Sequence, residues 1–456
     1  MVETQWGRDS NARWAIVLVV AMVLAVALCL HLPHLNGPWY WKWPWRRIDT
    51  LRIVPAMLCA AVPFFIAQVF YQRGRLGRRG ALFLLALSTF LLELVAIGIQ
   101  GPGFDLRRIA FVVQHPVITS YFSDALALRD VVGLLGEYPQ RMETFHLHSI
   151  NKPPGPILYY ASFLSWLAPM KAAMAAGLVV GLLAAVAVPA TFGLVRRLGA
   201  GREAAFHAAS YMALCPGLVL FFPELDQAYP LLTCGLVASF SLALERGTVG
   251  FAIAFGALLA LTAFMSFGLL VLGAFLAGQG VVYAIRHPAG GVQRFFSSAA
   301  MALGTVFILY AGLYLLTGYN PVETLGTAVA NEARHSQTLG RPWPATVFFD
   351  LLDFALGTGW ISFLMVGFWL VRRWGARPVL ESDWMVLLAV GQVLLVASAA
   401  LIPTETARVW LFLVPLWMLP VGLELAHWPP AARVSVYVAL WGLLVLVGQN
   451  LVFLGA

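Results

Sequence analysis

The sequence predicts an all-α fold, a polytopic transmembrane bundle of about 13 spans with a helical first loop outside the membrane. Three observations carry that prediction. Of the 456 residues, 61% are hydrophobic and 11% charged, whereas soluble domains carry about 25% charged residues. The apolar residues run in stretches of about 20, the length of helix that crosses a bilayer. Short arginine clusters punctuate those stretches. One bundle with its loops accounts for residues 1–456, with no appended soluble domain and no internal repeat.

The runs long enough to span are 14–32, 51–71, 80–100, 172–195, 203–222, 228–244, 248–264, 266–285, 296–316, 347–371, 384–402, 408–424 and 432–453. No small-residue cleavage site follows the first run, so it reads as a retained helix and not as a removed signal peptide. The stretch PILYYASFLSWLAP (156–169) is apolar but short, and is read as a helix lying along the interface. Charge placement decides that reading. The clusters Arg73/Arg75/Arg78/Arg79, Arg196/Arg197/Arg202, Arg286/Arg294 and Arg372/Arg373/Arg377 share the cytoplasmic side only if 156–169 does not cross. The N-terminus is then cytoplasmic and the C-terminus outside. Lys42, Arg46 and Arg47 fall outside, in a tryptophan-rich WYWKWPWRR that reads as an interfacial belt. The outside segments are about 33–50, 101–171 and 317–346, with short turns at 223–229 and 403–407.

The net charge of +8 is assigned to cytoplasmic loops facing anionic membrane lipids, and nucleic acid is excluded as a partner. Cys29, Cys59, Cys215 and Cys234 lie in apolar segments and read as small core residues, not disulfides or metal ligands.

Polar residues are scarce, so their positions carry information. The 101–171 loop holds Asp124 at the start of a helical stretch, Ser123 to Tyr138, whose apolar face is Leu126, Val131, Leu134 and Leu135. Asp124 reads either as an N-terminal helix cap or as a functional acid. The segment METFHLHSINKPPGP (142–156) is rich in proline and reads as extended. An extended chain points His146 and His148 the same way, which suits metal or phosphate; solvated loop histidines explain the pair equally well. FFPELDQAYP (221–230) places Glu224 and Asp226 at the outer end of a span, where acids are candidates for function. IPTETARVW (402–410) places Glu405 and Arg408 similarly, and an arginine there grips phosphate bidentately or snorkels to the interface. Asn331, Glu332, Arg334, His335 and Arg341 are placed to form a lid.

In order, then, the chain shows Tyr121-Phe122-Ser123-Asp124 in a large outside loop and a His…Lys-Pro-Pro-Gly-Pro stretch ending at Pro156. An Arg-Arg-Leu-Gly turn (196–199) and a run ending in Pro-Glu-Leu-Asp-Gln (223–227) follow. This order resembles the GT-C superfamily of integral-membrane glycosyltransferases, which includes protein O-mannosyltransferases, lipid A aminoarabinose transferases and the catalytic subunit of oligosaccharyltransferase. Residues 195–222 are most similar to the family-39-type branch, and the resemblance covers about 80–290. It implies a polyprenyl-phosphate-linked sugar donor in the outer leaflet and a glycan, lipid or protein acceptor. An acid of the first outside loop acts in the family as base or as a metal or acceptor contact; by motif position it is Asp124, taken as the catalytic residue. Lys152, His146, His148, Arg408 and Glu405 are assigned to the donor phosphate, and Glu224, Asp226 and Asp130 to acceptor or metal contact. No cofactor is required, and a divalent ion (Mg or Mn) is allowed. The chain departs from the family in two ways: many members carry adjacent acids in this loop, where Asp124 stands alone, and two spans precede the loop-bearing unit where many have one. A bacterial plasma membrane is the expected location. The competing reading is a transporter or flippase for a lipid-linked sugar or small molecule, with Glu93 in LLELVAIG as its mid-span acid.

Overall fold

The computed structural model describes residues 2–32, 50–100, 103–339, 343–374, 379–403 and 405–451. It is all-helical, with no strand among the described residues. Among the described residues, ten helical segments are long and apolar enough to cross a membrane, which makes the chain an integral membrane protein. The tryptophan-rich 39–47 stretch, Arg341 and Arg377 lie outside the described residues.

The first helices are α1 (Val2–Cys29), α2 (Thr50–Gln72) and α3 (Arg78–Gly98). The first-loop region then folds into α4 (Arg108–Gln114), α5 (Tyr121–Leu126), α6 (Val131–Gly136), α7 (Tyr138–Arg141) and α8 (Gly155–Leu164). At 1.5 Å per residue the ten residues of α8 reach about 15 Å, half a hydrocarbon core. Next come α9 (Pro169–Arg197), α10 (Arg202–Ala213), α11 (Pro216–Leu220), α12 (Tyr229–Arg246) and α13 (Val249–Met265). They are followed by α14 (Leu272–Arg286), α15 (Gly291–Thr317), α16 (Pro321–Leu339), α17 (Ala345–Thr358) and α18 (Ile361–Arg373). The chain closes with α19 (Glu381–Ser398), α20 (Thr406–Val409), α21 (Val414–Leu425) and α22 (Pro430–Asn450).

Three of the 13 expected spans differ from expectation. Residues 203–222 break into α10 and α11, because Pro216 has no N–H to donate and holds Cys215 extended (φ −63°, ψ 118°). Residues 347–371 break into α17 and α18, bent by 103°. Gly359 (φ +80°) and Trp360 (φ +54°) are both left-handed there, and a right-handed helix cannot pass through them. The segment 248–264 forms α13, a shorter apolar helix of 17 residues.

The segment Thr406–Leu425 is the centre of the bundle, with 89% of its apolar stretch buried, while α15 lies at the edge with 6%. Cys215 and Cys234 are buried in the core, but Cys29 and Cys59 sit on its exposed faces, which corrects their reading as core residues; all four thiols are free.

The spans give the bundle two chemically different ends. α9, α12, α14 and α18 each finish on arginine. At that end Glu424 accepts from Arg13 (3.0 Å), Arg372 (2.9 Å) and Trp428 (3.0 Å), tying α1, α18 and α21 together. At the other end the His31 ring meets Asn450 at 3.0 Å, so α1 and α22 run in the same direction. The turn before α12 and the turn before α21 also lie at that second end.

Candidate active site

The turn 223–228 carries Glu224, which is 2% exposed, and a 3-10 segment Leu225–Ala228 carrying Asp226. Arg408, on α20, reaches both. Its Nη1 lies 3.1 Å from Glu224 Oε1 and its Nε 3.6 Å from Asp226 Oδ2, and Nη2 donates to Glu405. One buried guanidinium thus stands among three carboxylates. Three ionised acids around one cation would leave a buried net negative charge, which is costly without further compensation. Two groups compensate. Burial pushes the Glu224 carboxyl up to about 8, against the pull of Arg408 and with the push of Asp226 and Glu405, so it holds a proton. Lys152 feels the charge of Asp226, of Glu332 and of Arg408; burial holds its ammonium below the usual lysine range.

The 405–408 turn is held from below by α17. Asp353 accepts from the Ala407 backbone N–H at 2.9 Å, and Thr406 donates to the Asp350 carbonyl at 2.5 Å. Gly357 lets α17 come that close, since a Cβ there would sit 2.5 Å from the Ala407 carbonyl oxygen. Glu405 itself has φ +49°, a left-handed strain that surrounding contacts must hold. Ser120, at the foot of the first-loop helices, shares the condition with φ +59°.

From Ser120 the first loop folds onto this cluster. The Ser120 hydroxyl accepts from the His148 backbone N–H at 3.1 Å. The His148 ring contacts the Val117 carbonyl at 2.9 Å. A carbonyl only accepts, so Nε2 of His148 carries the hydrogen. Burial, then the charge of Arg408, lowers His148 to about 4, leaving the ring neutral at pH 7. Two residues earlier, His146 Nδ1 lies 2.6 Å from Asp124 Oδ1, and the His146 backbone N–H also points at Asp124. The Asp124 side chain is 7% exposed and the His146 side chain 48%. A carboxylate on Nδ1 fixes the tautomer and leaves Nε2 of His146 as a free acceptor. This is an acid–imidazole dyad at most about 7 Å of chain from His148.

α16 covers the loop. Asn331 donates to the Ile150 carbonyl (2.6 Å), Asn151 to Glu332 (2.6 Å), and Arg334 pairs with Glu143 (2.6 Å). Tyr138 donates to the Lys152 carbonyl at 3.0 Å, fixing the chain where the lysine leaves it. The expected lid therefore forms through Asn331, Glu332 and Arg334.

The structure brings together six residues singled out in the sequence: His148, Lys152, Glu224, Asp226, Glu405 and Arg408. Asp124 and His146 form the adjoining dyad. Asp130 is not part of it. It caps α6, accepting from the Val132 N–H at 2.9 Å, and so takes the capping role that the spacing offered to Asp124. The predicted 123–138 helix breaks between Leu126 and Val131, and the cap belongs to the second piece. The two histidines do not point the same way either, because a turn closed by the Ser149 N–H on the His146 carbonyl (2.8 Å) separates them. Among the described residues no group of three His, Cys, Asp or Glu side chains is placed to hold a metal ion. The acids instead surround Arg408.

Sequence reasoning missed Asp350 and Asp353, although two acids inside an apolar run are a signal in themselves. It also missed the buried tyrosines Tyr121 and Tyr160, which face the acids. The Tyr160 hydroxyl is buried without a hydrogen-bond partner among the described residues, a donor that a polar ligand would satisfy.

Compared with known protein families and with curated proteins, the chain matches none.

Proposed function

We propose that this protein is a GT-C-like membrane glycosyltransferase, moving a sugar from a polyprenyl-phosphate donor to an acceptor hydroxyl on the extracytoplasmic side of a bacterial plasma membrane. The observation that carries the reading is the acid–arginine–lysine cluster at one end of an apolar bundle, with the Asp124–His146 dyad two residues along the chain from His148 of that cluster. In the reaction the acceptor oxygen bonds to the anomeric carbon. The carbon–oxygen bond to phosphate breaks, and the phosphate leaves with the electron pair. His146 Nε2 takes the acceptor proton, and Asp124 orients the ring and stabilises its charged form. Lys152, whose ammonium makes no hydrogen bond among the described residues, meets the phosphate charge; Arg408 is already shared among carboxylates. Asp226 and Glu405 accept from sugar hydroxyls. The apolar spans hold the prenyl tail, at about 0.8 kcal/mol per buried methylene.

The test is transfer from a radiolabelled polyprenyl-phosphate sugar in membranes containing Lys152→Gln protein. Loss of transfer with normal expression supports the reading, and unchanged transfer removes Lys152 from it.

Two observations favour transport as a second reading. Both Glu93 carboxyl oxygens are buried within α3 without a hydrogen-bond partner among the described residues, and α17–α18 is a broken helix. A Glu93→Gln variant that abolishes uptake into vesicles, beside a Lys152→Gln variant that does not, would select transport.

A further inference from the structure

At the arginine-rich end, two kinds of arginine coexist. Arg13, Arg197, Arg372, Arg373 and Arg433 each pair with a carboxylate of the chain. Arg73, Arg75, Arg78, Arg79 and Arg202 pair with none among the described residues. Three of them, Arg78, Arg79 and Arg202, wall an open cavity of about 460 Å³ with Tyr71, Gly77 and Gly80. That volume is within the range of small-ligand sites. Two of its walls are held by ring contacts. The Arg78 guanidinium lies over the Phe192 ring at 5.6 Å, and the Tyr71 ring stacks on Phe206 at 4.0 Å. Arg78 and Arg202 open helices α3 and α10, and neither helix has a side-chain cap, so two positive helix ends add to the three guanidinium groups. The nearby acid Glu203 is engaged elsewhere, by Arg433. Next to the cavity, Val69, Phe70 and Phe83 expose apolar surface on α2 and α3.

We infer that this cavity binds the phosphate headgroup of an anionic phospholipid, with the acyl chains lying on the exposed faces of α2 and α3. Clustered guanidinium groups repel one another unless an anion joins them, and phosphate offers the oxygens that guanidinium forks match. The apolar surface beside the cavity selects a lipid over a free phosphate ion. The inference does not depend on the proposed activity.

The full-length protein, delipidated in neutral detergent, is titrated with phosphatidylglycerol and with phosphatidylcholine, and bound lipid is counted by native mass spectrometry. The expected result is at least tenfold tighter retention of phosphatidylglycerol, lost in Arg78→Gln/Arg79→Gln/Arg202→Gln. These side chains are exposed, so the variant is expected to fold, as its melting temperature would show. A second triple variant, Arg246→Gln/Arg286→Gln/Arg294→Gln, removes the same charge elsewhere and should retain the lipid. Equal retention of the two lipids, or equal loss in both triple variants, would overturn the inference. Thermal stabilisation by inorganic phosphate that matches the effect of the lipid would overturn the lipid assignment in favour of a free phosphoryl group.

Discussion

In the proposed reaction the dyad divides a task that the sequence places on one residue. Asp124 is nearly enclosed and its oxygens are taken up by His146, so the atom left to meet an acceptor is Nε2 of the imidazole. Asp124→Asn and His146→Gln should each lower transfer by about 10²–10⁴-fold, the usual worth of a positioned base. Their double variant should lose little more, because the two act as one unit; rates in membrane preparations normalised to protein level check both. A second residue-scale expectation concerns pH. His148 stands at about 4 in the fold against an ordinary 6.5, so the unfolded chain binds more protons between those values. Stability through His148 therefore falls as pH drops from 6.5 to 4. Glu224 stands at about 8 against 4.5, so here the folded state binds more protons, and its contribution falls as pH rises from 4.5 to 8. Melting temperatures in detergent should show His148→Gln flattening the acid limb and Glu224→Gln the alkaline one. Arg408, Lys152 and the acids of the Pro-Glu-Leu-Asp-Gln turn were legible because charge is rare in this chain and each sits at the edge of an apolar run. The exchange of roles between Asp124 and Asp130 was not. Capping depends on where a helix breaks, and an apolar face continuing from Leu126 to Leu135 conceals the break.

At the scale of the element, the site rests on helices that do not run straight. The spans beginning at Leu225 and Thr406 both start in an irregular turn, and those turns bear Asp226 and Arg408. The bent pair α17–α18 supplies the Asp353 carboxylate and the Asp350 backbone carbonyl that hold the second turn. Hydropathy sees 347–371 as one run because its acids are few and glycine is neutral on any apolar scale. The bend comes from backbone conformation, which composition does not report. The Pro216 break was visible in principle, since proline stops a ladder of N–H donors wherever it falls. Gly359→Ala should lower stability by about 1–3 kcal/mol, the cost of holding a side chain at positive φ. Its Cβ would also lie 2.4 Å from Leu440 Cδ1, so the effect belongs at the upper end. Asp353→Ala leaves the buried Ala407 N–H without its acceptor, a loss of about 1–3 kcal/mol, and releases the turn that carries Arg408. Transfer should fall in Asp353→Ala by more than its melting temperature explains, whereas Gly359→Ala should move the two together.

Over the whole molecule, the distribution of charge is the property that hydropathy read best. Each end of the bundle has its own ionic chemistry. At one, arginines outnumber the acids they meet, as around Glu424; at the other, three acids surround Arg408. A bundle with that asymmetry is expected to insert with its arginine-rich end in the cytoplasm, because the anionic inner surface and the insertion machinery both favour it. The count of crossings is hard to read from hydropathy. A broken pair and a five-residue helix such as α11 satisfy an apolar window without forming one straight helix, whereas a terminal arginine marks an end whatever the helix does before it. Orientation then follows from two positions. Leu147 is exposed in the first loop beside the dyad, and Arg246 is exposed at the far end of α12, about 27 Å of helix from Tyr229. In a Cys29→Ala/Cys59→Ala background, Leu147→Cys should react with a membrane-impermeant maleimide in intact cells. Arg246→Cys should react only after the membrane is opened. Cys215 and Cys234 are buried and add no signal. Labelling of both positions from outside, or of neither, would break the link between the two chemistries and the two faces. Reversed labelling would place the dyad in the cytoplasm, out of reach of a donor held in the outer leaflet, and the glycosyl-transfer reading would fall with it.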